Sequence, residues 1–347
     1  VAKKKKLTKQ QLRRMRSNRS RKLEQTENNP DNLPDDSNLG PAQHGQVISR
    51  YGQHADIEDE SGNLIRCDLR RTIGSLVAGD KIIWRENLTG GDSQGVVEAV
   101  QERSSVLTRP DFYDGVKPVA ANIEQVVILS SIKPELSLQI IDRYLVAVET
   151  MGAEPVVVIN KSDLLPEAEK QKIDQELQYY RDIGYQVHWL SVKAEEGIEL
   201  IHQILKNRIS IVVGQSGVGK SSLVNQLLPD TDAAVGDIDT IGLGTHTTTV
   251  ARLYHLSHGG DLIDSPGVRE FALWHLSAEQ IFDGFIEFAQ YSARCKFRDC
   301  KHLEDPGCGL RKAVEAGQVK PHRLEHYHKI LQSVVENKPA YKLDIHK

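Results

Sequence analysis

Residues Gly214-Gln215-Ser216-Gly217-Val218-Gly219-Lys220-Ser221 fit the pattern GxxxxGK(S/T), and Ser222 follows them. The apolar run ISIVV before them reads as a strand and SSLVNQLL behind them as a helix, the setting of a phosphate-binding loop. Glycines there let backbone N–H groups turn inward around phosphate oxygens, and the helix N-terminus adds a favourable dipole. Lys220 is expected to reach the β- and γ-phosphates, a catalytic as well as a binding role. The Ser221 hydroxyl is expected to ligate Mg2+, and Ser222 to touch the α-phosphate.

A second motif, Asn160-Lys161-Ser162-Asp163, ends the run VVVIN. The Asp163 carboxylate can accept from the ring N–H and the exocyclic amine of guanine. Adenine lacks that pair of donors and would leave the buried charge unsatisfied. Asn160 is expected on the Hoogsteen side of the base, with the Lys161 stem over its face. Ser191-Val192-Lys193 ends another strand and matches a loop that supports guanine O6. Together these residues point to GTP and GDP and exclude a generic ATPase.

Asp264-Ser265-Pro266-Gly267 fits DxxG after the short apolar strand at Leu262 and Ile263. Asp264 would hold Mg2+ through water, and the Gly267 amide would sense the γ-phosphate. Between this motif and the phosphate loop lies GLGTHTTT, residues 242–249. Thr247 or Thr248 is expected to complete the Mg2+ shell, and the spacing leaves both open. Val268 stands where many GTPases carry a water-orienting glutamine. Valine offers no polar atom, so His246 is the candidate for that catalytic role, because an imidazole donates or accepts at neutral pH.

The last constellation is Cys295-x4-Cys300-x-His302-x5-Cys308. Three thiolates and one imidazole match a closed tetrahedral site for one structural Zn2+, with no position left open for catalysis. The remaining cysteine, Cys67, stands alone, so the set reads as a metal site in a reducing, cytoplasmic compartment rather than a disulfide framework. The nearby His322, His326 and His328 are read as surface residues of a helix, the Cys3His set being complete without them.

The elements that must position these residues follow from the pattern. Residues 1–22 hold eleven Lys or Arg and no acid, so the rest of the chain carries −15 against an overall −4. Residues 1–40 read as a basic tail and a polar linker; the tail is either a polyanion contact or a solvated arm. Residues 41–112 carry five or so short alternating strands, suited to a small β-barrel of the OB type. Tyr51, Arg66, Arg70, Arg71, Trp84 and Arg85 are its candidates for a nucleic-acid face, with Trp84 equally readable as core. Residues 113–275 alternate strands and helices, the pattern of a mostly parallel α/β sheet. Residues 276–347 form a small, mainly helical zinc-binding domain. No apolar run is long enough to span a membrane.

Most GTPases run phosphate loop, threonine switch, DxxG, NKxD and then the O6 loop. Here NKSD and SVK come first, so the α/β GTPase domain is circularly permuted, which chain termini and surface loops tolerate. One consequence is that DSPG leads directly into the C-terminal domain.

Basic tail, barrel, permuted GTPase and zinc module, with GQSGVGKSSL, GTHTTT, DSPG and the cysteine–histidine spacing, resemble one family over the whole chain. It is the ribosome small subunit-dependent GTPase A family of bacteria. The resemblance implies a factor that binds the 30S subunit and its 16S rRNA late in assembly. It also implies weak GTP hydrolysis alone and stimulation by the 30S particle. No contact with membrane or DNA is expected, and a monomer is.

Overall fold

The computed structural model describes residues 38–89, 93–111, 115–228, 250–265, 273 and 275–336. The basic tail, His246, Thr247, Thr248, Gly267 and Val268 lie outside the described residues. The chain divides into two compact units. Residues up to Arg103, with Ala120–Asn122 and Val250–Leu253, make the first; Ser104–Val119, Ile123–Thr249 and Tyr254 onward make the second.

In the first unit five strands close into a ring: β1 (Leu39–Tyr51), β2 (His54–Asp59), β3 (Leu64–Leu69), β4 (Lys81–Asn87) and β5 (Gly95–Val100). β1 pairs antiparallel with both β2 and β4, β2 with β3, and β4 with β5, while β3 runs parallel to β5. This is the expected OB-type barrel, and closure leaves no open sheet edge. β1 pairs with both β2 and β4 by bending at irregular register near Val47 and Leu39.

Val47, Ile57, Cys67, Ile82, Trp84 and Val97 fill the barrel. Trp84 is core: its ring is buried and its indole N–H donates to the His44 carbonyl at 3.1 Å. A Cβ on Gly95 would stand 2.8 Å from that ring, so only glycine admits the indole there. Three of the arginines considered for a nucleic-acid face are engaged within the barrel. Arg66 pairs with Asp56 at 2.9 Å, Arg70 with Glu98 at 2.7 Å, and Arg85 donates to the Gly40 carbonyl at 2.6 Å. Tyr51 and Arg71 are exposed.

β6 (Val106–Asp111) and β7 (Gly115–Ala121) pair as a two-stranded sheet. The α/β part of the second unit runs β8 (Gln125–Ser131), α1 (Leu138–Met151), β9 (Glu154–Asn160), α2 (Glu167–Asp182), β10 (Gln186–Trp189), α3 (Glu195–Leu205), β11 (Ile209–Val213) and α4 (Lys220–Leu227). After β12 (Arg252–His255), β13 (Asp261–Asp264) completes the parallel order β10-β9-β8-β11-β13. β8 is buried along its whole length, which is why it reads as an unbroken apolar run. α1 stops at Gly152, whose φ of 78° gives the left-handed turn that lets its N–H donate to the Val148 and Glu149 carbonyls. The strand order reverses between β8 and β11, and a crevice at the carboxyl ends of strands at such a point is where α/β sheets bind ligands.

The C-terminal helices α5 (Ala278–Asp283), α6 (Ala289–Ser292), α7 (Gly309–Glu315) and α8 (Pro321–Glu336) belong to the same unit as this sheet. Beside the stacked Phe285 and Phe288, their core holds a buried charge cluster. Arg323 of α8 is fully buried and donates to Asp142 of α1 at 2.6 Å and to both oxygens of Glu287 at 2.7 and 2.8 Å. Asp142 also receives the Tyr180 hydroxyl and His326 Nδ1, each at 2.6 Å.

The reading of the three histidines as surface residues is therefore corrected. His326 is buried on Asp142, His322 stacks on Tyr180, and His328 bonds the His302 carbonyl at 3.1 Å. Polar side chains on the inner face of α8 are hidden from hydrophobic periodicity because their carboxylate partners lie on distant segments.

The cluster sets a pH dependence. Burial alone would raise the Asp142 carboxyl, but Arg323, His326 and Tyr180 together hold it below the ordinary aspartate range. A depressed carboxylate contributes stability that is present above its unfolded pKa and lost as pH falls through its folded pKa. We expect urea unfolding of the wild type to show that acid loss. Arg323→Ala should cost about 3–5 kcal/mol at neutral pH, since two buried carboxylates lose their cation. Its penalty should shrink in acid; a penalty independent of pH would contradict the assignment.

Candidate nucleotide site and metal centre

The motif residues converge at the carboxyl ends of β9, β10, β11 and β13. In the phosphate loop Gly214, Gly217 and Gly219 have φ of 152°, 81° and 104°. A Cβ would fall 2.0 Å from the Leu129 carbonyl oxygen at Gly214 and 2.4 Å from Asn160 Nδ2 at Gly219, so no other residue fits either position. Gly219 caps α4, whose first residue is Lys220. The Lys220 ammonium is held at 2.5 Å by the carbonyls of Gly214 and Gln215, inside the concavity of the loop. Ser216, Ser221 and Ser222 are exposed at its mouth.

Asn160 is the junction of three loops. It is 2% exposed; its Nδ2 donates to the Val218 carbonyl at 2.8 Å and its Oδ1 accepts from the Val192 N–H at 3.2 Å. The amide thus ties NKSD to the phosphate loop and to SVK. Lys161 adopts φ 63°, the left-handed region, and its Nζ reaches the Gly217 carbonyl at 2.6 Å and the Lys133 carbonyl. Ser162 begins a short 3-10 turn and donates its N–H to Leu190 at 3.0 Å. Asp163 is exposed, and the Ser191 hydroxyl donates to its Oδ1 at 2.8 Å, steadying the carboxylate. Lys193 is exposed.

Asp264 ends β13, half-buried after the buried pair Leu262 and Ile263. Burial raises its carboxyl above the ordinary aspartate range, with a partly offsetting bond from the Ser265 N–H. A carboxylate under that penalty is relieved by a nearby divalent cation. Sequence reading missed the Lys133-Pro134 segment after β8. The Ser131 hydroxyl donates to the Lys133 carbonyl at 2.8 Å, and a Cβ on Gly217 would meet the Pro134 ring at 3.6 Å. A proline just beyond an apolar strand was the available signal.

The cysteine–histidine set is gathered as its spacing requires. All four ligand atoms lie within 4.8 Å of one another. His302 Nδ1 stands 3.7, 3.6 and 3.4 Å from the sulfurs of Cys295, Cys300 and Cys308. Zinc bonds of ~2.3 Å to sulfur and ~2.0–2.1 Å to nitrogen give a tetrahedral N···S edge of about 3.6 Å, so the group fits structural zinc. His302 has φ 58°, a strained conformation for a non-glycine residue, held by what surrounds it. Phe282 stacks on its ring at 4.9 Å and His328 bonds its carbonyl. N–H groups at the start of α7 point at two of the sulfurs: Gly309 to Cys295 at 3.2 Å and Arg311 to Cys308 at 3.5 Å.

Comparison with known proteins agrees with this geometry. The RsgA GTPase family matches residues 100–274. The small ribosomal subunit biogenesis GTPase RsgA of Photorhabdus laumondii is 56% identical over 340 residues, 96% of each chain. Its counterpart in Yersinia enterocolitica is 57% identical over 342 residues, 97% of each chain. Among solved structures, YjeQ from Thermotoga maritima is similar with a TM-score of 0.70 and 33% identity, covering 86% of this chain and all of that one. YloQ, a circularly permuted GTPase, is similar with a TM-score of 0.69 and 27% identity, covering 89% of this chain and 99% of that one.

Proposed function

Because the chain belongs to the RsgA GTPase family, we propose that it binds the 30S subunit and its 16S rRNA, assists a late step of that subunit's maturation, and hydrolyses GTP there. GTP hydrolysis is the family's reaction, and the chain is a GTP hydrolase. The observation that carries the reading is Asn160, whose single amide joins the permuted NKSD, phosphate and SVK loops into one site.

In this reading the N–H groups of Gly214–Gly219 cradle the phosphates. Lys220 neutralises the β- and γ-oxygens, and Ser222 meets the α-phosphate. Asp163, steadied by Ser191, accepts from guanine, with Asn160, Lys161, Ser162, Val192 and Lys193 closing the base pocket. Ser221, Asp264 and one of Thr247 and Thr248 would hold Mg2+, which supplies neutralising charge on the phosphates. The Gly267 amide meets the γ-phosphate. A water attacks the γ-phosphorus; the new P–O bond forms as the bond to the β–γ bridging oxygen breaks, giving GDP and phosphate. His246 orients that water.

The lysines and arginines of residues 3–22 supply phosphate contacts to rRNA. Work on a ribosomal subunit implies a cytoplasmic location. We infer a monomer that contacts neither membrane nor DNA. No helix among the described residues is long and apolar enough to cross a membrane.

Two measurements test the reading. The chain should co-sediment with purified 30S subunits in a non-hydrolysable GTP analogue and less so in GDP; no association at low salt would overturn it. His246→Ala should lose about a hundredfold in 30S-stimulated phosphate release while still binding the analogue and the particle. Full stimulation of that variant would assign the water to another group.

A further inference from the structure

The sequence suggests one mechanical link from nucleotide to zinc module, through the DSPG segment. The described residues contain a second, and it begins at Lys161 and Gly217. Lys161 Nζ bridges the carbonyls of Gly217 and Lys133, and the Pro134 ring lies beside Gly217, 3.6 Å from where a Cβ would stand. Any ligand that draws Lys161 over a base, or re-seats Gly217 around a phosphate, must act on the Lys133-Pro134 segment.

That segment runs into α1 within four residues, and α1 carries Asp142 in its second turn. Asp142 is fully buried and has three partners: Arg323 and His326 from α8 and Tyr180 from α2. α2 is itself the helix that follows NKSD, and its Tyr179 hydroxyl lies 3.4 Å from Glu287, the other carboxylate of Arg323. Both helices that leave the base-side loops therefore end on one charge cluster. From there α8 continues to His328, which holds the carbonyl of the zinc-ligand candidate His302 at 3.1 Å. Elsewhere along the same face Gly284 sits against Val146 of α1, where a Cβ would be 3.0 Å from its backbone.

We propose that the Asp142–Arg323–Glu287–His326 cluster is a latch that couples nucleotide binding at Lys161 and Gly217 to the position of α8 and the zinc module. The inference rests on the nucleotide reading above. The physical reason is the stiffness of the contact. A buried carboxylate shared among a guanidinium, an imidazole and a phenol cannot slide far without breaking a charged hydrogen bond. A displacement of α1 is therefore passed to α8 or the latch opens; a loose apolar contact would absorb it. Nucleotide and zinc module then bias each other by the same factor, as linkage requires.

The test is hydrogen–deuterium exchange on the full, zinc-loaded chain, with and without the Mg2+ complex of a non-hydrolysable GTP analogue. In the wild type the analogue should slow exchange in residues 214–221 and change it in 321–336 by about fivefold or more. In Asp142→Asn the response at 214–221 should persist while the response at 321–336 disappears. His326→Gln keeps the Arg323 clamp and so keeps α8 docked; it should weaken the distant response even if Asp142→Asn folds poorly. The proposal is overturned if both variants transmit as the wild type does, or if 321–336 ignores the analogue in a wild type whose 214–221 responds. A wild type in which 214–221 itself fails to respond removes the nucleotide reading, and the latch with it.

Discussion

Removing zinc, by a strong chelator or by Cys300→Ser, is expected to unfold the segment from Cys295 to α7 while the nucleotide loops stay folded and still bind, with affinity changed only by the coupling factor of the latch. The reason is composition. Between Cys295 and Cys308 the chain offers Lys296, Arg298, Asp299, Lys301, Glu304 and Asp305, and its two large apolar residues, Phe297 and Leu303, are exposed at 44% and 51%. Nothing in that loop can build a core. Structural zinc contributes an apparent ~10–16 kcal/mol in small modules at neutral pH, far more than the few hydrogen bonds around it. The loss should spread into α8, because His328 is anchored on His302 and Phe282 stacks on its ring. Unfolding should stop there, since the nucleotide loops are tied to one another by Asn160 and Lys161. Metal analysis of the purified chain should give one equivalent of zinc. Limited proteolysis after chelation should cut within 295–315 first. Metal-free protein that resists cleavage there would contradict the role.

The second large effect is on base selection. Asp163→Asn should weaken GTP by about 10²–10⁴-fold, the cost of two hydrogen bonds to a charged acceptor. The same variant should gain for xanthosine triphosphate, whose ring presents an acceptor where guanine presents the amine donor. Ser191 makes the experiment clean: its hydroxyl, which donates to Asp163 Oδ1, can still donate to the amide oxygen of the variant, so the change in character falls on the other atom of the side chain. Competition binding with GTP, XTP and ATP reads the result. Unaltered preference for GTP would mean that NKSD does not form the base pocket.

The α/β order, the barrel and the metal set were legible for a common reason. Each is written in contiguous residues: GQSGVGKS before a helix, an unbroken VVIL run for a doubly covered strand, a Cys-x4-Cys-x-His-x5-Cys spacing. Circular permutation was legible because motif order is itself a one-dimensional fact. Trp84 could not be assigned from its neighbours, because its burial depends on Gly95, a residue of another strand that leaves room for the indole. His326 was misread because Asp142, which makes it a buried residue, lies 184 positions away. Lys133 and Pro134 escaped notice because their contact with Gly217 exists only once β8 and β11 are neighbours. Local chemistry is readable in sequence, whereas polar complementarity between distant segments is not.

The central claim is that this chain hydrolyses GTP under the control of the small ribosomal subunit. Its most direct test is phosphate release from GTP by the purified chain, measured alone and with purified 30S subunits. Slow turnover alone is expected, with a rise of about tenfold or more with the subunits and no comparable turnover of ATP. A rate that is the same with and without 30S subunits, or that is equal for ATP, would contradict it.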